Sequence, residues 1–402
     1  MSLRVLQLNT LFHGGGTDDQ CVKLAIGLHQ AGVDVALAGP RDREQAEVAI
    51  RSGVPLEDTG DEGFIKLRYI ARVARIIRRH RIQIVHAHHG RDYWPAILAA
   101  RLSRCHPRLV LSRHLAKSPG SLPGRFLVLN LCDAMVACSE FTARVLREGH
   151  ADPGSPEEER HWRPPMWGPR SRIRVIYGGF ELDRFQPLPE SESGVVMLRR
   201  HWGVSPDDFV FGMVGGYALP RGKGHREFLA AAARIRDQVP RARFVIVGRG
   251  DMGPLLEEDI RRLGLRGIAT LPGYSLEMPL VMNALDCLVH PQIGTEAMGS
   301  VVMEAHACGR PVVASSLDGI PEAFGFGGAG QLVPPEDVDA LADAMRRVAL
   351  GPRIPETERR RLHERVAGRV SLARYAQDMI GLYREILGSG QPTRTGRSPS
   401  VG

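Results

Sequence analysis

Short, continuous runs of Val, Ile and Leu alternate with longer segments of helical period along most of this chain, and that alternation limits its fold more than any other feature. Leu3–Asn9 predicts a strand and Phe12–Gly16 a turn, with Thr17 placed to cap a helix whose apolar face uses Val22, Ala25 and Leu28. Gly32 ends that helix, and Val33–Ala38 predicts the next strand. Ile82–Ala87, Leu109–Arg113 and Ala134–Cys138 repeat the signature. A strand that is apolar on both faces needs cover on both faces, so strands alternating with helices imply a helix-covered parallel sheet. A second series begins at Phe209, with strands at Phe209–Val214, Phe244–Val247, Thr270–Leu271, Cys287–His290, Pro311–Ala314 and Gln331–Val333. Helical patterns at Gly224–Val239, Gly253–Leu263 and Ser300–Ala307 separate them. The fold class is therefore α/β: two Rossmann-like domains facing each other across a cleft, with ligands held at the carboxyl ends of the strands.

Residues 1–187 form the first domain, and the Pro-containing stretch Phe185–Ser193 marks its boundary. A segment rich in Pro, Glu, Arg and Trp, Ala151–Arg172, reads as a surface insertion. The second domain occupies 188–371, a helix at 372–389 could pack on either domain and is expected back on the first, and the Gly/Pro/Ser-rich tail 390–402 reads as disordered. With 402 residues, 43% hydrophobic and 24% charged, the chain has the makings of a sizeable core and is no disordered, collagenous or disulfide-stapled protein. Its six cysteines show no CxxC pattern and read as thiols of a reducing compartment. No apolar run approaches ~18 residues, and the opening MSLRVLQLN is too short and polar for a secretory leader, so the expected location is the cytoplasm. A net charge of +8 raises the question of nucleic acid, but acids interleave with the basic residues and no zinc-finger or RNP-like pattern is present; no nucleic-acid partner is expected.

Chemistry concentrates in the segment from Glu296 to Ser315. Gly299 reads as the opening of a helix, leaving Glu296 on the preceding loop and Glu304 in the second turn. The amides of Gly299, Ser300 and Val301 would then emerge at a helix N-terminus, where partial positive charge and unpaired N–H groups suit a diphosphate. Glu304 could accept hydrogen bonds from two adjacent ribose hydroxyls, and Glu296 could reach a sugar; a pair of solvated acids on an ordinary amphipathic helix is the plain alternative. The pattern Pro291, Glu296, Gly299, Glu304-Ala305, Gly309, Pro311-Val312-Val313-Ala314-Ser315 resembles the signature of the retaining nucleotide-sugar glycosyltransferases of family 4, with the two-domain GT-B fold. Gly319-Ile320-Pro321-Glu322 and Val333-Pro334-Pro335 with Asp337 continue the resemblance, as do Gly15-Gly16-Thr17-Asp18, Val85-His86-Ala87-His88 and Val136 with Ser139-Glu140. The stretch from Ile176 to Pro187 is similar to that family's interdomain junction, with Gly178 where its usual Asn stands.

Several residues acquire expected roles from position and from that resemblance. The Gly14-Gly15-Gly16 loop follows a strand and precedes a helix, as a loop approaching phosphate must, but Asp19 breaks a dinucleotide fingerprint. The resemblance places Gly16, with Gly15, against donor diphosphate or acceptor. His114 ends a strand, so its ring N–H could hold a phosphate or sugar oxygen, and the family has a functionally important histidine there. Alternation puts His86 and His88 on one strand face and His89 on the other, and the resemblance implies a mainly architectural stretch without a metal, with contact to the acceptor as the alternative. Lys223 would neutralise the donor's β-phosphate as the nucleotide departs. The arginine that the family pairs with it is replaced by Gly215-Gly216-Tyr217, leaving Arg221 as a substitute. Arg249 is a further phosphate candidate, and Gly273-Tyr274 lies where the family's backbone holds the base. Asp337-Val338-Asp339 is a literal DxD, but its place at the start of a helix favours capping, and no metal or other cofactor is expected. Finally, Lys66–Arg81 carries an apolar face (Leu67, Ile70, Val73, Ile77) and an arginine face (Arg68, Arg72, Arg75, Arg79) that could meet an anionic membrane. The resulting expectation is a retaining, metal-independent glycosyltransferase with catalytic His114, Lys223 and Glu296. Its acceptor would be a glycan or lipid-linked molecule of the cell envelope, reached peripherally at the inner face of the cytoplasmic membrane. A nucleotide-sugar epimerase of the same fold and a non-catalytic two-lobed binding protein are the alternatives.

Overall fold

The two series of apolar runs form two parallel sheets with one common strand order. The structure, a computed structural model, describes residues 2–12, 15–60, 67–151, 162–219 and 222–388. In the first sheet β1 (Arg4–Leu8), β2 (Asp34–Gly39), β3 (Leu56–Asp58), β4 (Ile84–Ala87), β5 (Arg108–Arg113), β6 (Ala134–Ala137) and β9 (Ile173–Val175) lie in the order 3-2-1-4-5-6-9. The short strands β7 (His150–Ala151) and β8 (Trp162–Arg163) pair antiparallel outside it. The second sheet arranges β10 (Phe209–Val214), β11 (Ala242–Val247), β12 (Ala269–Gly273), β13 (Cys287–His290), β14 (Val312–Ser315) and β15 (Gly330–Val333) as 12-11-10-13-14-15. Each sheet reverses its order beside its first strand, between β1 and β4 and between β10 and β13, which is where such sheets open a binding crevice.

Helices α1 (Gly16–Gln30), α2 (Glu44–Arg51), α3 (Leu67–Arg79), α4 (Tyr93–Leu102), α5 (Leu122–Leu131) and α6 (Glu140–Glu148) accompany the first sheet. With the second go α7 (Ser193–His201), α8 (His225–Ile235), α9 (Gly253–Arg262), α10 (Met278–Ala284), α11 (Ser300–Ala307), α12 (Ile320–Gly327), α13 (Val338–Leu350) and α14 (Glu356–Val370). Successive strand residues serve opposite cores: Leu6, Leu8, Val85 and Leu111 pack with α3 and α4, while Val5, Ile84 and Val110 pack with α1. The last helix, α15 (Leu372–Gly388), buries Tyr375, Met379, Tyr383 and Ile386 in that second core of the first lobe. The chain crosses between lobes twice, and the crossings touch: the Phe180 N–H donates to the Val370 carbonyl at 2.9 Å. Phe180 and Leu182 already pack in the second lobe's core, upstream of residue 187.

Three local expectations change. Thr17 caps nothing: α1 begins at Gly16, with Gly15 at φ 130° in the cap position and no side-chain hydrogen bond. A positive φ suits glycine, so backbone conformation rather than a hydroxyl starts this helix. Three-residue strands β3 and β9 were not anticipated, since runs that short show no period. On α3, Ile70, Val73 and Ile77 are buried but Leu67 is 81% exposed. All four arginines of its other face are exposed, but two are engaged: Arg72 donates to the Thr59 carbonyl at 2.6 Å and Arg79 pairs with Glu57 at 3.4 Å. Lys66, the tail 389–402 and residues 152–161 of the insertion lie outside the described residues. No described helix is long and apolar enough to cross a membrane.

Candidate active site

Between the lobes lies a cavity of ≈ 260 Å³. Gly16, Gln20, Lys23 and His114 line it from the first lobe, and Glu296, Gly299, Ser300 and Glu304 from the second. Its second-lobe wall is built by the loop after β13. Gly299 adopts φ 78°, the left-handed conformation that glycine takes at least cost, and α11 starts at the next residue. The N–H groups of Ser300 and Val301 have no preceding helical carbonyl to bond, and Ser300 opens onto the cavity. Val301 instead packs beside the second lobe's core.

Glu296 sits at the heart of this loop. Its Oε1 accepts from the Gly299 N–H at 3.3 Å, and its Oε2 lies 3.6 Å from Lys223 Nζ. Burial works to raise the carboxyl's pKa, but Lys223, His290 and the amides of Gly299 and Met298 outweigh it and hold the group below the usual carboxylate range. Asp318 takes the Glu296 N–H at 3.2 Å, and the Gly319 N–H donates to the Glu296 carbonyl at 3.1 Å. A Cβ on Gly319 would stand 2.2 Å from the Ala297 carbonyl oxygen, so this turn closes only over glycine. Lys223 reaches the loop because Gly224, at φ 88°, lets the strand–helix turn after β10 press against Pro291, whose carbonyl oxygen would be 1.9 Å from an added Cβ.

Glu304 behaves differently. Enclosed by both lobes, it is pushed up to about 7, chiefly by desolvation; Lys23 lowers it and Asp19 raises it from across the cavity. Lys23 and Asp19 are themselves paired at 2.8 Å. His114 is held down to about 4 by burial, with Arg113 and His89 adding to the effect, and is neutral at physiological pH. Its Nε2 lies 3.3 Å from His88 Nδ1, so the ring's protein-facing nitrogen is occupied and its Nδ1 remains for the cavity.

Of the residues expected to form a site, the cavity brings together Gly16, His114, Glu296, Gly299, Ser300 and Glu304, with Lys223 joined through its ion pair. Gly15 caps α1 beside it. Arg249, Gly273 and Tyr274 form a separate exposed group in which the Arg249 guanidinium stacks 4.9 Å from the Tyr274 ring centroid. That group adjoins tight backbone: a Cβ on Gly248 would meet the Gly215 carbonyl at 2.0 Å. Arg221 and Gly14 lie outside the described residues. Asp337 caps α13 by accepting from the Ala340 N–H at 2.9 Å, and Asp339 pairs with Arg234 at 2.6 Å. Among the described residues no three His, Cys, Asp or Glu side chains gather as metal ligands would.

Sequence reasoning missed Asp19, Gln20 and Lys23, whose spacing of three, four and seven residues from Gly16 along α1 puts them on one helix face with it. It also missed the struts that join the lobes beside the cavity. Ser139 Oγ donates to the Ala297 carbonyl at 2.6 Å. The Glu322 carboxylate accepts from the Glu140 N–H at 2.9 Å and from the Tyr177 hydroxyl at 2.6 Å, capping α6 from the other lobe.

Comparison with known proteins gives this geometry a context. The sequence model of Glycosyltransferase Family 4 matches residues 14–156, and that of Glycosyl transferases group 1 matches residues 208–350. A D-inositol 3-phosphate glycosyltransferase of Saccharomonospora viridis is 31% identical over 232 residues, 55% of this chain and 52% of that protein. An alpha-D-kanosaminyltransferase of Streptomyces kanamyceticus is 31% identical over 205 residues, 51% and 52% of the two chains. The chain thus spans about half the length of the curated relatives it matches. Among solved structures, a glycosyltransferase from Rickettsia africae superposes with TM-score 0.78 at 18% identity, over 96% of this chain and 99% of that one. HepE of Anabaena, solved in complex with UDP and glucose, gives 0.71 at 19% identity over 95% and 99%. At such identities the likeness concerns the fold, which is GT-B.

Proposed function

Because the chain belongs to the glycosyltransferases, with a family 4 first lobe and a group 1 second lobe, we propose that it moves a sugar from a nucleotide-sugar donor to an acceptor hydroxyl. The observation that carries this reading is the interlobe cavity, where the amino end of α11 and His114 meet across the cleft and the Lys223 ammonium stands behind Glu296, paired with it at 3.6 Å. A nucleotide sugar is an anion with one scissile bond, and a site built of backbone N–H groups and one ammonium stabilises the diphosphate as it leaves. That HepE holds UDP and glucose supports the donor class.

In this reading the Ser300 and Val301 amides and Lys223 hold the diphosphate, Gly15 and Gly16 let it approach, and Glu304 holds the ribose. Glu296 both aims Lys223 and meets the donor sugar, while His114 faces the reacting side. Arg249, Gly273 and Tyr274 sit further out, toward the base, and Arg221 supplements Lys223. Supplying the counter-charge from Lys223 and the helix terminus makes the reaction metal-independent, and Asp337 and Asp339 serve α13. Retention follows from same-face displacement, in which the leaving phosphate oxygen takes the acceptor proton. Lobe closure excludes the water that would hydrolyse the donor. Relatives named for inositol phosphate and phosphatidylinositol acceptors support a polyol or lipid-linked acceptor of the cell envelope. Exposed Arg68 and Arg75 supply a contact with anionic lipid at the cytoplasmic face.

The test is nucleotide release across UDP-, GDP- and ADP-sugars with and without acceptor lipids. Acceptor-dependent nucleotide release with net retention in the product supports the reading, and an epimeric sugar formed without acceptor, or no release from any donor, sinks it. Flotation with anionic vesicles tests the lipid contact separately: an R68E/R75E protein that floats as well as the parent removes it.

A further inference from the structure

Behind His114 runs a buried chain of hydrogen bonds that the catalytic reading does not use. His88 Nε2 lies 2.6 Å from Gln7 Oε1, and Gln7 Nε2 donates to the Tyr383 hydroxyl at 3.1 Å. That hydroxyl lies 2.7 Å from His86 Nδ1, and His86 Nε2 lies 2.8 Å from Ser112 Oγ. Gln7, His86 and Ser112 are at most 1% exposed, His88 is 2% exposed, and Tyr383 is fully buried.

With the Gln7 amide oxygen turned to His88, the donors and acceptors from Gln7 to His114 follow from one another. An amide oxygen only accepts, so His88 carries its proton on Nε2. Burial holds His88 and His86 well below the ordinary imidazole value, so each ring has one proton and its other nitrogen is a bare acceptor. His88 Nδ1 must then accept, and the proton between the two rings belongs to His114 Nε2. Tyr383 accepts from Gln7, which leaves its own O–H to donate to His86 Nδ1. What remains to the cavity is His114 Nδ1 as an unprotonated acceptor. The N–H that sequence reasoning offered to a phosphate oxygen is committed to His88 instead.

We propose that Gln7, His88 and Tyr383 are positioning residues that lock the tautomer of His114, with α15 supplying the anchoring hydroxyl from the far end of the chain. The lock ties the carboxyl-terminal helix to the reacting face of the cleft: β1, β4 and α15 must be docked together before His114 presents a lone pair. The functional consequence rests on the reading of His114 as a group at the reacting face; the lock itself does not.

The experiment is long-range ¹H–¹⁵N NMR of the full chain labelled at histidine, with the His114 signals assigned by their loss in His114→Gln. In the parent protein, His114 should be protonated at Nε2 and bare at Nδ1. In Tyr383→Phe and in Gln7→Leu, each verified as folded by its melting transition, the signals should move toward the opposite tautomer. Where transfer is measurable, kcat should drop about tenfold while nucleotide affinity, which does not draw on His114, stays unchanged. A parent protein protonated at His114 Nδ1, as an inverted Gln7 amide would give, overturns the proposal. So does a correct tautomer that persists unaltered in both folded variants. Absence of transfer with a correct, variant-sensitive tautomer would instead strike at the glycosyltransferase reading and leave the lock standing.

Discussion

The two lobes share a strand order yet build their halves of the cleft from different material. The second lobe works with backbone: glycines at 224 and 319 bring chain against chain, and Gly299 at φ 78° leaves N–H groups at the head of α11. The first lobe works with side chains: His114 rests on His88, His88 on Gln7, and Gln7 on a tyrosine 376 positions away. A backbone-made site needs particular residues at fixed local spacing. A side-chain-made site needs only that distant groups meet. The contrast explains which half a sequence displays, and it sets the size of what substitutions should do.

The largest effect belongs to backbone. Gly224→Ala adds a Cβ 1.9 Å from the Pro291 carbonyl oxygen at φ 88°, so the turn carrying Lys223 must move. We expect transfer to fall at least a hundredfold, with stability lowered by roughly 2 kcal/mol or more. Gly267→Ala is the control: φ is 80° but nothing lies within 4 Å of the new Cβ, so it should cost only the strain, about 1 kcal/mol. Equal losses in the two variants, read by thermal melting and turnover, would erase the distinction drawn between crowded and merely strained turns.

Next comes Lys223→Ala. An ammonium aimed at a leaving diphosphate acts mainly in the transition state, so kcat should fall by about 10²–10³ while KM for the donor changes little. The variant also frees the Glu296 carboxylate from its ion pair. A rise in KM with kcat preserved would mean that the ammonium binds ground state and transition state alike.

Glu304 gives a pH signature that the backbone groups cannot. Its folded value of about 7 lies above the ordinary carboxylate value, so between those limits the folded chain holds a proton that the unfolded chain releases. The associated stability is fully present below the unfolded value and is lost as pH rises through about 7. Donor binding runs the other way, because the carboxylate accepts the ribose hydroxyls: affinity should be level above about pH 7.5 and weaken toward tenfold per unit below about 6.5. Calorimetric titration of the nucleotide across pH 5.5–8.5 reads the slope, and Glu304→Gln should remove it. A slope that survives the substitution assigns the proton to another group.

The sequence displayed the second lobe almost whole. Phe209–Val214 and Cys287–His290 coincide with β10 and β13, and Gly299, Glu296 and Glu304 fall on the cap, the loop and the helix they were expected to occupy. All three lie within nine residues, where helical geometry fixes their relation. In the first lobe β1, β2, β4, β5 and β6 were equally plain while the two- and three-residue strands were not, and α1 starts without the cap that Thr17 offered, because a glycine at φ 130° takes the cap position. Lys23 and Gln20 went unnoticed because one helix face looks alike whether it meets solvent or a cleft. Tyr383 could not be read at all: nothing local distinguishes a tyrosine that packs from one that holds a histidine two crossings away.

Glu322 tests the place where the two materials meet. Its carboxylate, on the second lobe, accepts from the Glu140 and Phe141 amides that open α6 of the first, and from the Tyr177 hydroxyl of the crossing segment. A carboxylate at a helix N-terminus combines hydrogen bonds with the helix dipole, but Glu140 is exposed to water, so the net contribution is held to about 1 kcal/mol. Glu322→Gln keeps one acceptor oxygen and discards the charge. If the strut holds the lobes closed, the variant should open in the absence of donor, seen as a larger radius of gyration by solution scattering, and saturating donor should restore the parent value. Turnover should fall about fivefold, with melting little changed because neither core is touched. High salt should narrow the gap between parent and variant, since a partly exposed charge interaction is screened. Should the variant scatter like the parent and turn over at the parent's rate, the contact is an incidental one, and the lobes are held without it, by contacts such as the Ser139–Ala297 hydrogen bond and the paired crossings at Phe180 and Val370.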